Sequence, residues 1–256
     1  MNLNLQDKKI IVTGGAKGIG KGICKLLAQE GAIPLIIDRD KEAATTLIEE
    51  MGKGDFAAID LINEHASISA IEALAKNYDS IDGLVNNAGI NDAVGLEKGN
   101  LDLFRQSLDK NLLHYYTITQ TALPYLIKSK GSIVNITSKV AETGQGNTSG
   151  YAAANGARNA LTREWAVELL KYGIRVNAVV VAECYTSMYE TWVNSLHNPT
   201  EVLNKIVQKI PLEKRMTTIE EIGNMVTFLL SDRSSHTTGQ LIHVDGGYVH
   251  LDRAIE

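Results

Sequence analysis

Short apolar runs alternate with helical patterns along the whole chain, and this alternation restricts the fold more than any other feature of the sequence. The runs are Lys9–Val12, Ile33–Ile37, Gly54–Ile59, Ile81–Val85, Ser132–Ile136, Gly173–Val181 and Gln240–Val244. Such alternation is typical of a doubly wound α/β fold, in which a parallel sheet carries helices on both faces. Ligands of these folds bind beyond the carboxyl ends of the strands, so the loops there carry the functional prediction.

Length and charge limit the classes of function that remain. At 256 residues we expect one domain, residues 1–256, without a linker or an internal repeat. A net charge of −5 argues against binding to nucleic acid or to an anionic membrane. The beginning of the chain, MNLNLQDKK, has no apolar signal segment, and no run reaches the ~18 apolar residues of a membrane span. We therefore expect a soluble, cytoplasmic protein.

The cysteines and histidines show no ligand spacing. Cys24 lies inside an apolar helical run far from Cys184, which favours a buried thiol over a disulfide. The sequence therefore predicts no metal site from its six histidines, which are His65, His114, His197, His236, His243 and His250.

A glycine-rich loop, TGGAKGIG, lies between the first strand and a helical pattern over 19–29. Glycines at this junction let the backbone approach a pyrophosphate at the positive end of the helix. We expect dinucleotide contacts from Gly14, Lys17, Gly18, Ile19 and Gly20. The simpler alternative is a tight turn, but the strand–loop–helix context favours a phosphate cradle.

Asp38 ends the second strand, about 20 residues beyond the glycine loop. A carboxylate there accepts hydrogen bonds from the adenosine ribose and repels a 2′-phosphate, so it favours NAD over NADP. Alternatively, Asp38 caps the helix that begins at Lys41. Arg39 can accommodate a phosphate, so NADP stays open.

Ser138 and Tyr151 form the frame of a proton-transfer site. Ser138 follows the strand Ser132–Ile136, and Tyr151 lies in the first turn of a helix that we expect to begin near Ser149. A phenol accepts a proton from an alcohol well only when its pKa is lowered from ~10. A cation four residues later, on the same helix face, is the usual device, but that position holds Asn155.

Two asparagine motifs complete the candidate site. NNAG, at 86–89, follows the fourth strand and either joins neighbouring strands beside a cofactor or forms a plain polar turn. Asn111 lies within a helical stretch predicted over 101–127. An asparagine there is often only bonded to the backbone, but it becomes functional if the helix is locally disturbed and the amide holds a water.

Together, TGGAKGIG, Asp38, NNAG, Asn111, Ser138, Tyr151 and the VDGG at 244–247 resemble the motifs of the short-chain dehydrogenase/reductase family across the whole chain. The resemblance implies a Rossmann-type domain with a seven-stranded parallel sheet, a nicotinamide dinucleotide and usually a homotetramer. It further implies cofactor contacts from Asp60, Leu61, Asn87, Gly89, Tyr151, Asn155 and Thr186.

The resemblance also implies the catalytic roles. Tyr151 takes the hydroxyl proton, Ser138 holds the reacting oxygen and Asn111 orders a water relay. A lysine of the family lowers the pKa of the tyrosine, and Asn155 stands in its place. Because an amide carries no charge, we expect proton transfer to be weakened or abolished. Lys139 is a remote alternative source of charge.

Several loop segments resemble the L-fucose dehydrogenase branch of the family: NNAGIND, TGQGNTSGYAA, ALTREWA, RSSHTTGQ and VDGGYVHLDRA. This implies oxidation of an aldose, a monosaccharide, at its anomeric carbon to a lactone with NAD as acceptor. A sugar needs many polar partners, and the candidates are Asn91, Ser138, Gln145, Asn147 and Glu183, with Trp192 for stacking. They include residues of an expected lid over 183–210.

Alternatives remain open at this point. Asn155 is compatible with a deliberately disabled variant, a slow natural enzyme, or a natural protein that binds without catalysis. The substrate could instead be a steroid or another secondary alcohol, although the lid is comparatively polar. From another class, the chain could be a non-catalytic dinucleotide-binding protein.

Overall fold

The computed structural model describes residues 2–251 as one α/β domain built on a seven-stranded parallel sheet. The strands are β1 Lys9–Thr13, β2 Ile33–Asp38, β3 Asp55–Ala58, β4 Gly83–Asn86, β5 Ser132–Ser138, β6 Arg175–Val181 and β7 Leu241–Val244. The helices are α1 Gly18–Gln29, α2 Lys41–Met51, α3 Glu64–Tyr78, α4 Leu101–Leu108, α5 His114–Ser129, α6 Ser149–Glu168, α7 Ser187–Asn194, α8 Pro199–Val207 and α9 Ile219–Leu230.

The strands lie in the order β3-β2-β1-β4-β5-β6-β7, with every neighbouring pair parallel. The order reverses between β1 and β4, and the crevice at such a reversal is where this architecture binds ligands. The predicted doubly wound, Rossmann-type sheet is therefore confirmed.

Each face of the sheet carries its own apolar core. Side chains of α1 and α9 cover one face, including Ile23 and Val226, whereas side chains of α3, α5 and α6 cover the other, including Ile71 and Trp165. The inner strands β1, β2, β4, β5 and β6 are buried on both sides, which explains why they read as continuous apolar runs and not as alternating ones. Cys24 lies in the first core as a free, buried thiol, as predicted.

Two segments differ from the sequence prediction. The helix expected over 101–127 is divided, because a π-helical turn over Asp109–Leu113 separates α4 from α5. The expected lid region is more regular than its mixed composition indicates: it forms α7, whose first turn is capped by the Thr186 hydroxyl, and then α8. A π turn and a cap both depend on single side chains, which periodicity alone does not show.

Within residues 2–251, no helix combines the length and the apolar character that crossing a membrane requires.

Candidate active site

A cavity of about 860 Å³ lies at the carboxyl edge of the sheet, where the strand order reverses. Its walls come from the loop after β1, the ends of β2 to β6, the first turn of α6 and the start of α7. Thirteen of the residues predicted to form the site line it: Gly14, Lys17, Gly18, Ile19, Asp38, Asp60, Leu61, Asn87, Gly89, Asn91, Ser138, Tyr151 and Thr186.

The glycine loop is shaped for a close approach. Gly14 and Gly18 have positive φ angles of 62° and 53°, which glycine adopts without strain. A Cβ on Gly20 would lie 2.1 Å from the Gly14 carbonyl oxygen, so this position accepts only glycine. The first turn of α1 runs Gly18-Ile19-Gly20-Lys21, leaving its amides and its positive dipole end facing the cavity. These residues fit the pyrophosphate of a dinucleotide.

The carboxylate of Asp38 is held beside the glycine loop and not on the next helix. Its two oxygens accept hydrogen bonds from the backbone amides of Ala16, at 3.1 Å, and Asp40, at 3.0 Å. The N-cap of α2 is instead Asp40, whose side chain accepts from the Ala43 amide. The alternative role of Asp38 as the helix cap is therefore wrong.

Asparagines of the NNAG motif join β4 to both of its neighbours. The Asn87 side chain donates to the carbonyl oxygens of Thr13, at 2.9 Å, and Gly14, at 3.1 Å. On the other side, the Asn86 side chain donates to Asn135 of β5 at 3.0 Å. The motif therefore joins β4 to β5 and to the start of the glycine loop at the cavity wall, and it is more than a polar turn.

Asn111 lies in the π turn, fully buried. Its side-chain oxygen accepts from the Ile90 amide at 2.7 Å, and its side-chain nitrogen donates to the Ser107 carbonyl at 3.0 Å. The helix is locally disturbed here, as a functional role for Asn111 requires. π turns occur frequently at functional sites because they redirect backbone groups.

Ser138 and Tyr151 line the same cavity, from the end of β5 and from the first turn of α6. Asn155 is fully buried, and its side chain turns back onto its own helix, donating to the Tyr151 carbonyl at 2.8 Å. Asn155 is not among the described residues that line the cavity. Its predicted cofactor contact stays a prediction.

Sequence reasoning missed Arg158, which follows Asn155 by three residues on α6. Its side chain is buried and lines the cavity together with Tyr151. One guanidinium nitrogen donates to the Asn155 side-chain oxygen at 3.2 Å, and Nε donates to the Asn111 carbonyl at 2.7 Å. The available signal was the spacing Tyr-x₃-Asn-x₂-Arg, which puts all three side chains on one helix face.

Lys139, the remote alternative source of charge, is already paired. Its ammonium group contacts the Glu183 carboxylate and lies 3.9 Å from the centre of the Tyr248 ring. The other Glu183 oxygen accepts from the Tyr189 hydroxyl at 2.7 Å. Burial and the neighbouring carboxylate raise the pKa of Tyr189. Both oxygens of Glu183 are thus engaged within the protein, which leaves it less free to bind a substrate than the sequence indicates.

The other substrate candidates separate into two groups. Asn91 and Ser138 line the cavity, beside Asp92 and Lys110, whose charged groups lie 3.6 Å apart. In contrast, Gln145 and Asn147 are exposed on the β5–α6 loop, and Trp192 is 45% exposed on α7 with its ring against Tyr189. These three lie outside the cavity lining among the described residues, and their substrate contacts stay predictions.

A cluster of possible metal ligands lies outside the cavity lining. Glu142, His243 and His250 each place one ligand atom within 4.8 Å of the others. Glu142 lies 101 residues before His243, so sequence spacing did not reveal the cluster. The His243 ring nitrogen already lies 3.1 Å from the Glu142 carboxylate, and the two imidazoles meet edge to face. These contacts account for the cluster without an ion.

Comparisons with known proteins agree with this geometry. Residues 14–249 match a family model described as enoyl-(acyl carrier protein) reductase. The chain is 35% identical to the 3-oxoacyl-[acyl-carrier-protein] reductase FabG of Thermotoga maritima, over 96% of this chain and all of that protein. It is 33% identical to the L-fucose dehydrogenase of Bos taurus, over 96% of this chain and 91% of that protein. A solved structure of Cj0485 dehydrogenase is 47% identical, with a TM-score of 0.96 over 100% of this chain and 99% of that one.

Proposed function

The chain belongs to the short-chain dehydrogenase/reductase family of oxidoreductases, and from that membership we propose that it oxidises an aldose, L-fucose or a close relative, at the anomeric carbon with NAD. One observation carries the proposal: the Ser138 and Tyr151 hydroxyls line the same cavity as the glycine loop and Asp38. The cavity thus combines a dinucleotide cradle with a pair of hydroxyls suited to proton transfer.

The substrate class is supported from two directions. One relative at 33% identity is an L-fucose dehydrogenase, and two of the segments that resemble that branch, NNAGIND and TGQGNTSGYAA, follow the carboxyl ends of β4 and β5. In addition, the cavity wall next to Ser138 and Tyr151 carries Asn91, Asp92 and Lys110. A site for a sugar must match its hydroxyls, because each buried unpaired polar group costs about 1–3 kcal/mol.

The reaction divides between cofactor and protein. When bound, the dinucleotide supplies the acceptor for the hydride that leaves the anomeric carbon. Tyr151 as phenolate removes the proton of the anomeric hydroxyl, and the electron pair of that O–H bond becomes the second bond of the lactone carbonyl. The Ser138 hydroxyl holds the reacting oxygen beside Tyr151. The products are the lactone, the reduced dinucleotide and one proton.

Asp38 supports NAD as the preferred dinucleotide. Backbone amides hold its carboxylate at the end of β2, on the cavity wall. A fixed negative charge there favours a ribose 2′-hydroxyl and disfavours a 2′-phosphate.

We further propose a homotetramer, as the family resemblance implies. Large apolar side chains are exposed on two helical surfaces: Leu101, Leu113 and Tyr116 on α4, the π turn and α5, and Val167 and Leu170 on and just beyond α6. Exposed apolar groups concentrated on helix faces are typical of surfaces that bind another copy of a chain.

The direct test is NADH formation by the purified protein with a panel of aldoses, with Tyr151→Phe as the inactive control. We expect turnover of L-fucose or a close relative and its loss in the control. Reduction of a 3-oxoacyl thioester with NADPH, and no aldose oxidation, would instead favour the substrate class of the FabG relative. Turnover of a steroid alone would support the secondary-alcohol alternative. NAD binding by calorimetry without turnover of any substrate would support a non-catalytic binding protein.

A further inference from the structure

Arg158 occupies an unusual position for an arginine. It is 2% exposed, although its guanidinium is charged at every pH at which proteins are folded. Its side chain lies on the helix face that carries Tyr151 and Asn155, and it forms part of the same cavity wall as Tyr151. A charge so deeply buried requires either a partner or a use.

The partners of Arg158 are neutral oxygens. The guanidinium donates to the carbonyl oxygens of Asn111, Ile136 and Ala88 and to the side-chain oxygen of Asn155. Within residues 2–251, none of its ion pairs or hydrogen bonds joins it to a carboxylate. These contacts satisfy its N–H groups, but they leave its positive charge uncompensated at the cavity wall.

Tyr115 and Gly89 fit closely against this guanidinium. It lies 4.1 Å from the centre of the buried Tyr115 ring, which attracts a cation. In addition, a Cβ on Gly89 would lie 2.8 Å from a terminal guanidinium nitrogen, so a glycine leaves the necessary space. The guanidinium is therefore held in one place by α5, the π turn, the NNAG loop and β5.

Asn155 fits this arrangement better than a lysine would. Its side-chain oxygen accepts from Arg158 at 3.2 Å. An ammonium group at 155 would replace that acceptor with a second cation against the guanidinium, and like charges in a buried site repel strongly. Asn155 and Arg158 are thus a matched pair.

We infer that Arg158 supplies, from the following turn of α6, the positive charge that stabilises the ionised phenol of Tyr151 and that Asn155 does not provide. Arg158 acts through Tyr151 and through the Asn111 carbonyl, so it is a positioning residue. The inference rests on the proposed dehydrogenase chemistry. It implies an active enzyme in which the cation lies at position 158, three residues after the position of the family's lysine. Lys139 does not serve this purpose, because Glu183 neutralises it.

Other titratable groups also face the cavity. Lys17, Asp38, Arg39, Asp40 and Asp60 belong to the cofactor side, whereas Asp92, Lys110, His114, Cys184 and Tyr189 belong to the side of the NNAG loop, the π turn and the lid. Lys17 pairs with Asp40 at 2.5 Å, and Lys110 pairs with Asp92. A titration of Tyr151 must therefore be compared between variants that differ only at Arg158.

The first experiment follows ionisation of Tyr151 without turnover. Ultraviolet difference titration of the wild type against Tyr151→Phe, with NAD present, reports this phenol among the nine tyrosines. We expect the titration of Arg158→Met to lie at least about one pH unit above that of the wild type, and the titration of Arg158→Lys to stay within about half a unit of the wild type. A titration that Arg158→Met leaves unchanged would overturn the inference.

The second experiment uses the pH profile of kcat/KM. For Arg158→Met we expect a loss of about 10- to 100-fold near pH 7, with recovery at alkaline pH, where the phenol ionises unaided. A merely structural role would lower the rate by the same factor at every pH, and that result would overturn the inference. Arg163→Met is the matched control: it removes one arginine from the exposed side of the same helix and should leave the profile unchanged.

The third experiment tests the matched pair. Asn155→Lys alone should give no gain in activity and should lower the melting temperature, because two cations then meet. The double variant Asn155→Lys with Arg158→Met should recover the wild-type pH profile, since the lysine then stands alone. An Asn155→Lys protein more than about tenfold faster than the wild type would show that Arg158 does not supply the charge.

These results also separate failure of the inference from failure of the proposed substrate. If no aldose is oxidised but the titration of Tyr151 moves to higher pH in Arg158→Met, the charge assignment stands and the substrate assignment fails. If an aldose is oxidised but the titration of Tyr151 is the same in Arg158→Met as in the wild type, the substrate assignment stands and the charge assignment fails. Should circular dichroism show that Arg158→Met is unfolded, Arg158→Gln replaces it, because an amide removes the charge but keeps hydrogen-bond donors, and the same shift of the titration is expected.

Discussion

At the scale of single residues, the position of one carboxylate sets the expected cofactor preference. The Ala16 and Asp40 amides hold Asp38 at the cavity wall, so its charge faces whatever binds beyond the glycine loop. Arg39 and Lys17 line the same region and can receive a phosphate once that charge is removed.

We therefore expect Asp38→Ala to lower the ratio of kcat/KM for NAD over NADP by about 100-fold, through loss of the ribose contact and of the repulsion. Steady-state kinetics with both dinucleotides measures the ratio. Asp55→Ala, on the neighbouring edge strand β3, is the control for loss of a carboxylate and should leave the ratio unchanged. An unaltered ratio in Asp38→Ala would contradict the NAD assignment.

His114 is the second single residue that carries a prediction, here on how the free energy of unfolding depends on pH. It is 3% exposed, and one ring nitrogen lies 3.0 Å from the Lys110 carbonyl and therefore carries a proton. Burial, with a smaller contribution from the Arg158 guanidinium, lowers the pKa of His114 from 6.5 to about 4. The imidazole is thus neutral in the folded protein over the range in which an unfolded chain already takes up a proton.

The direction in which the free energy of unfolding changes with pH depends on which state binds more protons. Between about pH 6.5 and 4 the unfolded state binds more protons, so the free energy of unfolding falls as the pH falls through this window. The loss is on the order of 3 kcal/mol, at about 1.4 kcal/mol per pH unit. We expect His114→Phe to flatten the dependence, measured by denaturant unfolding at several pH values. The exposed His65 is the control position, and an equally steep slope in His114→Phe would contradict this assignment.

At the scale of elements, α9 shows how a short motif holds a helix in place. The Thr218 hydroxyl accepts from the Glu221 amide, and the Glu221 carboxylate accepts from the Thr218 amide, which forms a capping box. Arg215 pairs with the same carboxylate and lowers the pKa of Glu221 to about 2. This end of α9 packs against α1, where a Cβ on Gly22 would meet Ile219 at 2.9 Å.

We expect Thr218→Ala to lower the free energy of unfolding by about 1 kcal/mol, because an amide of the first turn loses its acceptor. Chemical denaturation measures the change. Thr45→Ala is the matched control, since that hydroxyl bonds back to the Lys41 carbonyl within α2 and satisfies no terminal amide. Equal losses in both variants would show that the cap contributes nothing specific.

At the scale of the whole molecule, the exposed apolar side chains on α4, the π turn, α5 and α6 are expected to be covered by other copies of the chain. With a chain mass of 27.8 kDa, light scattering should report about four times that value. Leu113→Glu with Tyr116→Arg, or Val167→Glu with Leu170→Glu, should each lower the mass by opening one type of contact. Leu96→Glu is the control, since Leu96 is 93% exposed on a loop. A wild-type mass of one chain would contradict the proposal.

The sequence by itself was sufficient for the fold and for the prediction that the glycine loop and Asp38 meet at one cavity. Strand and helix periodicities, the glycine loop and the carboxylate ending β2 are local features, and parallel topology brings their ends to one edge of the sheet. Ser138 and Tyr151 follow the same logic, because β5 leads through a short loop into α6. The pairing of Asp40 with the Ala43 amide is also local, but the sequence offered Asp38 as the alternative cap because both residues precede the helix.

Only the tertiary structure decided the rest. Arg158 contacts the Asn111 carbonyl from 47 positions away, and that contact depends on how α6 packs against the π turn. Likewise, Glu183 meets Lys139 across 44 positions, and Glu142 meets His243 across 101. Periodicity describes which face of an element is apolar, but it contains no distance between separate elements. The sequence therefore shows only that position 155 has no lysine, whereas the structure shows the buried guanidinium of Arg158 at the cavity wall.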